Sequence, residues 1–398
     1  MSESRFSSDV AVVGGCGHVG LPFALVLADR GLDVTLFDVN GAAVDQVNSG
    51  TLPFDEPGAA PVLDRVLSAG RLRATTDPMS VRAAEIVVVV IGTPIDEHLN
   101  PDLSAVQIAI TEIAESLVDG QLLVLRSTVY PGVTAMVERL VTRLGVDVAF
   151  CPERIAESRA MTELTELPQI VAARTQRASD RATKFFQNLT HDVVYLEPEE
   201  AELAKLFTNA WRYIKFATAN QLFMMANDFG LDYERIRSAV TYNYPRAADL
   251  PGAGFAAGPC LFKDTMQLAA FNNNNFQLGQ ASVSTNEGLP MYLIARLERR
   301  YNLSEMTVGI LGMSFKAESD DIRSSLSYKL KRILAFKAKG VLTHDPYVSV
   351  DPALVSLEQV LSNSDLLIVG APHALYREFQ TDLPVVDIWN LRERGVQV

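Results

Sequence analysis

Residues 10–20 read VAVVGGCGHVG. A short apolar run breaks into a glycine cluster, and residues 21–30 then follow a helical pattern that Gly31 ends. Within the cluster, Gly15-Cys16-Gly17-His18-Val19-Gly20 is a GxGxxG set between a predicted strand and a predicted helix. Gly15 is expected to allow the tight turn, Gly17 to let backbone approach a pyrophosphate, and Gly20 to let helix pack on strand. The helix N-terminus then faces the phosphate charge. A second strand, residues 34–38 (VTLFD), ends in Asp38, ~20 residues on, where an acid accepts hydrogen bonds from a ribose 2′-OH and repels a 2′-phosphate. Strand, loop, helix, strand and terminal acid fall in order. That order predicts a dinucleotide site that takes NAD.

Working outward, the same rhythm continues. Residues 86–91 (IVVVVI) are all β-branched, as in a strand buried on both faces of a parallel sheet. Further strands are expected at 121–126, 146–150, 170–172 and 193–196. The pattern then changes. Residues 198–229 hold no glycine and, after Pro198, no proline; apolar residues recur at helical spacing, which predicts one helix of ~30 residues. Helices are also expected at 233–242 and 265–271, around a glycine- and proline-rich loop at 250–259 (LPGAGFAAGP). From about residue 307 the α/β rhythm returns, with strands at 308–311, 341–344, 366–369 and 385–388 and helices at 322–338 and 356–362. The expected fold is α/β: two Rossmann-like doubly wound domains (1–197 and 301–398) joined by a helical domain (198–300) built on one long central helix.

Composition narrows the class. The 398 residues are 48% hydrophobic, enough for sizeable cores, and carry a net charge of −13. That charge argues against a general binder of nucleic acid or anionic membrane, both of which need a basic face. The longest apolar run is far short of the ~18 residues that span a bilayer. The first residues (MSESRFSS) hold no apolar signal core. Three cysteines, without metal-ligand spacing, fit a reduced cytoplasmic protein and no bound metal.

Several residues invite a chemical reading beside a plain one. A cysteine is more often a buried small hydrophobe than a nucleophile. Cys260, however, follows the glycine-rich loop, and Lys263 and Asp264 come one helical turn later. A lysine or a helix N-terminus there favours thiolate. Cys16 and Cys151 keep the structural reading. Glu153 and Glu157 lie just beyond the end of a strand, where open α/β sheets place ligands; their plain reading is a solvated helix start. Lys205 and Asn209 are spaced i, i+4 on the long helix and can share a pocket or merely a polar face.

Together these stretches resemble the nucleotide-sugar dehydrogenase family. The resemblance runs through residues 14–22 (GGCGHVGLP), 91–104 (IGTPIDEHLNPDLS), 126–134 (RSTVYPGVT), 151–158 (CPERIAES), 201–210 (AELAKLFTNA), 252–264 (GAGFAAGPCLFKD), 286–290 (NEGLP), 312–325 (GMSFKAESDDIRSS) and 344–346 (HDP). It implies oxidation of the C6 hydroxymethyl of a UDP-sugar to a carboxylate, with two hydrides passed to two NAD⁺. Cys260 matches the family nucleophile, which forms a thiohemiacetal and then a thioester. Asp264 matches the acid that helps activate water, and Lys205 and Asn209 the pair that stabilises the developing oxyanion. Glu157 and Thr128 match residues around a catalytic water and the reacting hydroxyl, with Glu153 in the same motif. Thr93 matches a cofactor contact, and Lys263 and Arg323 match cofactor contacts from outside the first domain. Lys316, beside Phe315, matches a lysine on the UDP phosphates, and Arg246 the sugar-binding arginine. Phe255 and Gly258, in the loop before the cysteine, fall with the substrate residues. The resemblance also implies a homodimer or higher homo-oligomer through the long helix.

The chain departs from the glucose-type pattern. Ala257-Gly258-Pro259 stands where Gly-Gly-Ser is usual, and Asn243-Tyr244-Pro245-Arg246 and the CPER start look like the N-acetylhexosamine branch, whereas Phe262-Lys263-Asp264 is glucose-type. The sugar therefore stays open at this point. Two other readings stand beside it. A dehydrogenase of another substrate, such as GDP-mannose or a short hydroxy acid, is one; an enzyme that oxidises once needs no thiol. A catalytically silent nucleotide-sugar binder is the other, and it would need degraded catalytic residues.

Overall fold

The computed structural model describes residues 6–93, 96, 102, 104–396 and 398. Of the motif at 91–104, residues 94–95, 97–101 and 103 lie outside the described residues. The chain forms two compact units, Met1–Phe207 and Thr208–Val398.

The first unit is built on an eight-stranded sheet. Its strands are β1 (Ser8–Val13), β2 (Val34–Phe37), β3 (Leu72–Thr75), β4 (Ala84–Val89), β5 (Leu122–Leu125), β6 (Asp147–Phe150), β7 (Gln169–Ala172) and β8 (Val193–Leu196). Their spatial order is β3-β2-β1-β4-β5-β6-β7-β8. Neighbours run parallel, except that β6 and β7 are antiparallel. Val10 and Val12 enter the core on one face of β1, and Ala11 and Val13 the core on the other. Two-faced burial explains why β1 and β4 read as unbroken apolar runs rather than alternating ones. The order reverses at β1, which pairs with both β2 and β4, so the crevice at its C-terminal end is where such sheets bind ligands. The glycine cluster sits there.

The long helix spans Pro198–Asp228, as its pattern predicts. Near its start Glu202, fully buried, accepts the amides of Gly132 (2.6 Å) and Thr134 (2.7 Å) and the Thr134 hydroxyl (2.6 Å). It thereby caps the helix Val133–Val141, whose own N-cap, Gly132, has no side chain.

The second unit carries a four-stranded parallel sheet of β9 (Thr307–Leu311), β10 (Gly340–His344), β11 (Leu366–Val369) and β12 (Val385–Val386), in the order β10-β9-β11-β12. The helix after β9 starts later than its apolar pattern suggests, at Leu326: Ser325 caps it through the Ser327 amide, and Ser324 lies in the left-handed region at φ 54°. A further helix, Gln277–Leu297, holds Pro290 inside it. Among the described residues no helix is long and apolar enough to cross a membrane.

Candidate active site

The glycine loop divides its labour differently from the expectation. The left-handed turn falls on Gly14 (φ +75°), where a Cβ would stand 2.1 Å from the Val90 carbonyl oxygen. Gly15 is required instead by packing, since a Cβ there would meet Leu36 at 2.8 Å; at Gly20 it would meet the Gly14 oxygen at 2.6 Å. Gly17 is exposed, and a Cβ on it would meet only the Gly14 oxygen, at 3.8 Å. The space above Gly17 is thus open to a phosphate. The helix behind it, Gly20–Asp29, has Val19 as N-cap, no side-chain cap and no acid in its first turn, so its positive end is not neutralised by its own residues. The Asp38 carboxylate accepts the amides of Cys16 (2.9 Å) and Asn40 (3.0 Å), which fixes it beside the loop. The His18 ring lies 4.1 Å from that of Phe54. Burial, with the Asp38 charge, pushes the Cys16 thiol up to about 12. Open backbone at Gly17, a bare helix end and a positioned acid fit NAD.

Beyond β5 and β6, carboxylates hold the acidic motif in shape. Arg126, 1% exposed, donates to the Cys151 carbonyl (3.1 Å) and to Gln169 (3.1 Å), pairs with Glu153, and lies over the rings of Phe23 and Phe186. Glu153 also accepts the amides of Arg154 (2.6 Å) and Ile155 (3.0 Å). Its oxygens are taken up by the guanidinium and by backbone. Glu153, expected among the catalytic acids, therefore braces the segment that carries Glu157. Ser158, next to Glu157, is left-handed at φ 62°, and its amide donates to Glu56 (2.9 Å), which also accepts from Ala160 (2.8 Å). Glu157 and Thr128 are half-buried, and the Thr93 hydroxyl donates to the Thr128 carbonyl (2.7 Å).

In the second unit, Cys260 is the N-cap of the helix Leu261–Phe271 and is exposed, whereas Cys16 and Cys151 are buried. The helix begins four residues earlier than its pattern predicts, which puts the thiol at its positive end. Asp264, one turn on, is fully buried; its amide donates to the Cys260 carbonyl (2.8 Å). Its carboxylate takes Lys263 Nζ at 2.8 Å and Asn209 Nδ2 at 2.5 Å. Lys263, expected on the cofactor, is thus tied to the acid. Asn209 reaches the same acid from the long helix, and Lys205 lies one turn before it on that helix, half-buried.

The loop before Cys260 is clamped by two buried asparagines, Asn220, which carries no signal in the sequence, and Asn286, which opens the 286–290 motif. Asn220 donates to the Gly254 carbonyl (3.0 Å) and accepts the Gly254 amide (2.9 Å); it also meets Asn286 (2.9 Å), which donates to the Tyr213 carbonyl. Phe255 is buried edge-on against Trp389, so its ring belongs to the core and not to a ligand surface as expected. Gly258 is left-handed (φ +101°), and a Cβ on it would stand 2.7 Å from the Phe315 ring. Lys316 Nζ lies 5.5 Å from the same ring centroid. Arg323 is held by Asp321. Arg246 is exposed and contacts Tyr244, through a 2.9 Å hydrogen bond and its ring face; no hydrogen bond or ion pair joins it to the Cys260–Asp264 group. Among the described residues no cluster of His, Cys, Asp or Glu could hold a metal ion.

A dinucleotide cradle on one unit, with a cysteine, a buried acid, a lysine and an amide grouped on the other, defines a nicotinamide-dependent oxidoreductase with an accessible thiol. The chain belongs to the UDP-glucose/GDP-mannose dehydrogenase family: residues 8–190 match its NAD-binding domain, 199–288 its central domain and 309–393 its UDP-binding domain. It is 31% identical over 383 residues to the UDP-N-acetyl-D-mannosamine dehydrogenase of Pyrococcus horikoshii, covering 92% of this chain and 90% of that one. It is 30% identical over 396 residues to the NDP-N-acetyl-D-galactosaminuronic acid dehydrogenase of Ralstonia solanacearum, covering 93% and 92%. The solved UDP-glucose dehydrogenase of Pyrobaculum islandicum superposes with a TM-score of 0.90 at 26% identity, over 100% of this chain and 98% of that one. The protein is an NAD-dependent nucleotide-sugar dehydrogenase acting on a CH–OH group.

Proposed function

We propose that the protein oxidises C6 of a UDP-N-acetylhexosamine from alcohol to carboxylate, with Cys260 as nucleophile. The observation that carries the reading is the exposed thiol at a helix N-cap, one turn from a buried acid held by Lys263 and Asn209. NAD⁺, when bound, accepts a hydride from C6, once per oxidation. In the first oxidation the hydroxyl proton passes to water ordered by Glu157 and Thr128, and Lys205 and Asn209 stabilise the oxyanion. The helix N-terminus favours thiolate at Cys260, which adds to the C6 aldehyde to give the oxyanion of a thiohemiacetal, stabilised by Lys205 and Asn209. Loss of the second hydride leaves a thioester. Water, deprotonated with help from Asp264, attacks it; the C–S bond breaks, and the carboxylate and the free thiol are released. Covalent capture retains the aldehyde while the reduced cofactor is exchanged.

Thr93, the 15–20 loop, Lys263 and Arg323 are assigned to the cofactor, and Phe315 and Lys316 to the nucleotide. The three-domain division at 197/198 and 300/301 is supported by the spans of the family matches. The N-acetylhexosamine is supported by relatives at 30–31% identity named for such sugars and by Asn243-Tyr244-Pro245-Arg246. A homodimer is supported by the exposed stripe Phe207, Trp211, Leu222 and Met225 at helical spacing on the long helix, with exposed Phe229 just beyond its end. A cytoplasmic setting is supported by three cysteines that form no disulfide.

The test is NADH formation with UDP-glucose, UDP-N-acetylglucosamine, UDP-N-acetylmannosamine and UDP-galactose, with product masses. Two NADH per uronate from an acetylated sugar is the expected result. Turnover confined to UDP-glucose would overturn the sugar assignment, and no NADH from any of them would overturn the reading.

A further inference from the structure

A fully buried histidine, His373, sits in the turn after β11 with both ring nitrogens engaged. Its Nδ1 lies 2.9 Å from the Glu318 backbone nitrogen. An amide can only donate, so Nδ1 is the acceptor and the ring proton sits on Nε2. Nε2 in turn lies 3.0 Å from Asp345 and 3.2 Å from the Ser314 hydroxyl. Asp345, after β10, also accepts the amides of Met313 (2.7 Å), Ser314 (3.0 Å), Tyr347 (2.9 Å) and Val348 (3.2 Å). Glu318 reciprocates: its carboxylate accepts the Ala374 amide (2.7 Å), next to His373, and the Tyr347 hydroxyl. Its backbone is left-handed at φ 52°, a conformation that costs a non-glycine residue energy and persists only where its surroundings enforce it.

These contacts grip the segment 313–318 at both ends. Between the grips stand Phe315 and Lys316, with the Ser314 hydroxyl donating to the Lys316 carbonyl (2.7 Å) and the Phe315 amide to the Asp321 carbonyl (2.9 Å). We propose that His373, as the Nε2–H tautomer, is a positioning residue: by bridging Asp345 to the Glu318 amide it fixes the loop that presents Phe315 and Lys316 to the UDP moiety. The inference rests on the reading of Phe315 and Lys316 as nucleotide contacts. His373 touches neither the substrate nor the cofactor in this role.

Two substitutions separate the bridge's halves. His373→Asn places an acceptor near the Nδ1 position and keeps the bond to Glu318; His373→Gln places a donor near the Nε2 position, keeps the bond to Asp345 and loses the loop amide. Lys316→Ala marks the nucleotide site with the bridge intact. Affinity for UDP alone is measured by calorimetry on the full chain, with NAD⁺ affinity and melting temperature alongside. The expected result is UDP binding at least about tenfold weaker in His373→Gln, largely recovered in His373→Asn, with NAD⁺ affinity unchanged in both. If Lys316→Ala abolishes UDP binding while His373→Gln binds UDP as the native protein does, the role of His373 is overturned and the nucleotide site stands. Equal losses in the two His373 variants that follow only their melting temperatures also overturn it. If Lys316→Ala binds UDP normally, the nucleotide reading itself fails, and the role of His373 with it.

Discussion

Gly258→Ala adds one carbon at a place that has no room for it. Alanine must adopt φ +101°, at a cost of about 1–3 kcal/mol for a non-glycine residue in that region. Its Cβ would stand 2.7 Å and 2.8 Å from Phe315 Cδ2 and Cε2, whereas carbon atoms rest at about 3.5–4.0 Å, so the ring must retreat by roughly 0.7–1.3 Å. Overpacking of that kind costs about 1–3 kcal/mol. Together about 2–6 kcal/mol is set against the conformation that holds Phe315 and Lys316 in place. The expected outcome is a rise in the KM for the UDP-sugar of at least about tenfold, with the KM for NAD⁺ unmoved, measured by NADH absorbance. Denaturant unfolding should show a coupling of about 1–2 kcal/mol between Gly258→Ala and Phe315→Leu, because the smaller side chain relieves the clash but not the backbone strain. A Gly258→Ala protein with native KM values and native stability would refute the close approach and the functional weight given to this pair.

Iodoacetamide at pH 7–8 should label Cys260 alone in the folded protein, because burial pushes both Cys16 and Cys151 up to about 12. A thiol raised in the fold adds stability below its unfolded value near 9 that is lost as pH rises from there towards 12, so unfolding studied from pH 8 to 11 should show falling stability and emerging reactivity at these two sites. Cys260→Ala should abolish uronate formation while NAD⁺ binding persists; steady turnover to uronate would contradict the thioester route. Asp38→Arg should weaken NAD⁺ and favour NADP⁺, moving the preference by more than about tenfold in kcat/KM; an unchanged preference would place Asp38 away from the ribose. Glu202→Ala removes three hydrogen bonds from the start of one helix and should cost about 1–3 kcal/mol in urea unfolding, with little change if the cap is taken over by water.

The parts that could be read from the chain are those where one physical requirement dominates a run of residues. Strands buried on both faces must be apolar throughout, so β4 stood out at residues 86–91. β3 (LRAT) did not: Arg73 faces solvent and the run is too short to show a period. The helix Gln277–Leu297 was hidden by Gly279, Gly288 and Pro290, which read as breakers. Gly279 is there because a Cβ would strike the ring of the N-cap residue Phe276 at 2.4 Å and Thr265 of the preceding helix at 3.0 Å, demands that propensity cannot reveal. The site divides the same way. The GxGxxG and the Cys260 segment carry spacing, and spacing is legible. Asn220 and His373 act through backbone groups distant in sequence, and a lone polar residue has no pattern to betray it; Asn286 lies in the 286–290 motif, but its partner Asn220 is 66 residues away. For Glu153 the neighbours suggest chemistry, and only the fold shows the Arg126 guanidinium paired with it.

The short stretch from Phe54 to Glu56 touches two neighbours at once: one aromatic ring rests on the imidazole of the phosphate loop, and one carboxylate grips the peptide beside Glu157. It behaves as a strut with a foot on each, three residues long and carrying no reacting atom. Damage to it would be felt at both ends together, dulling the grip on the dinucleotide and the aim of the acid in the same stroke.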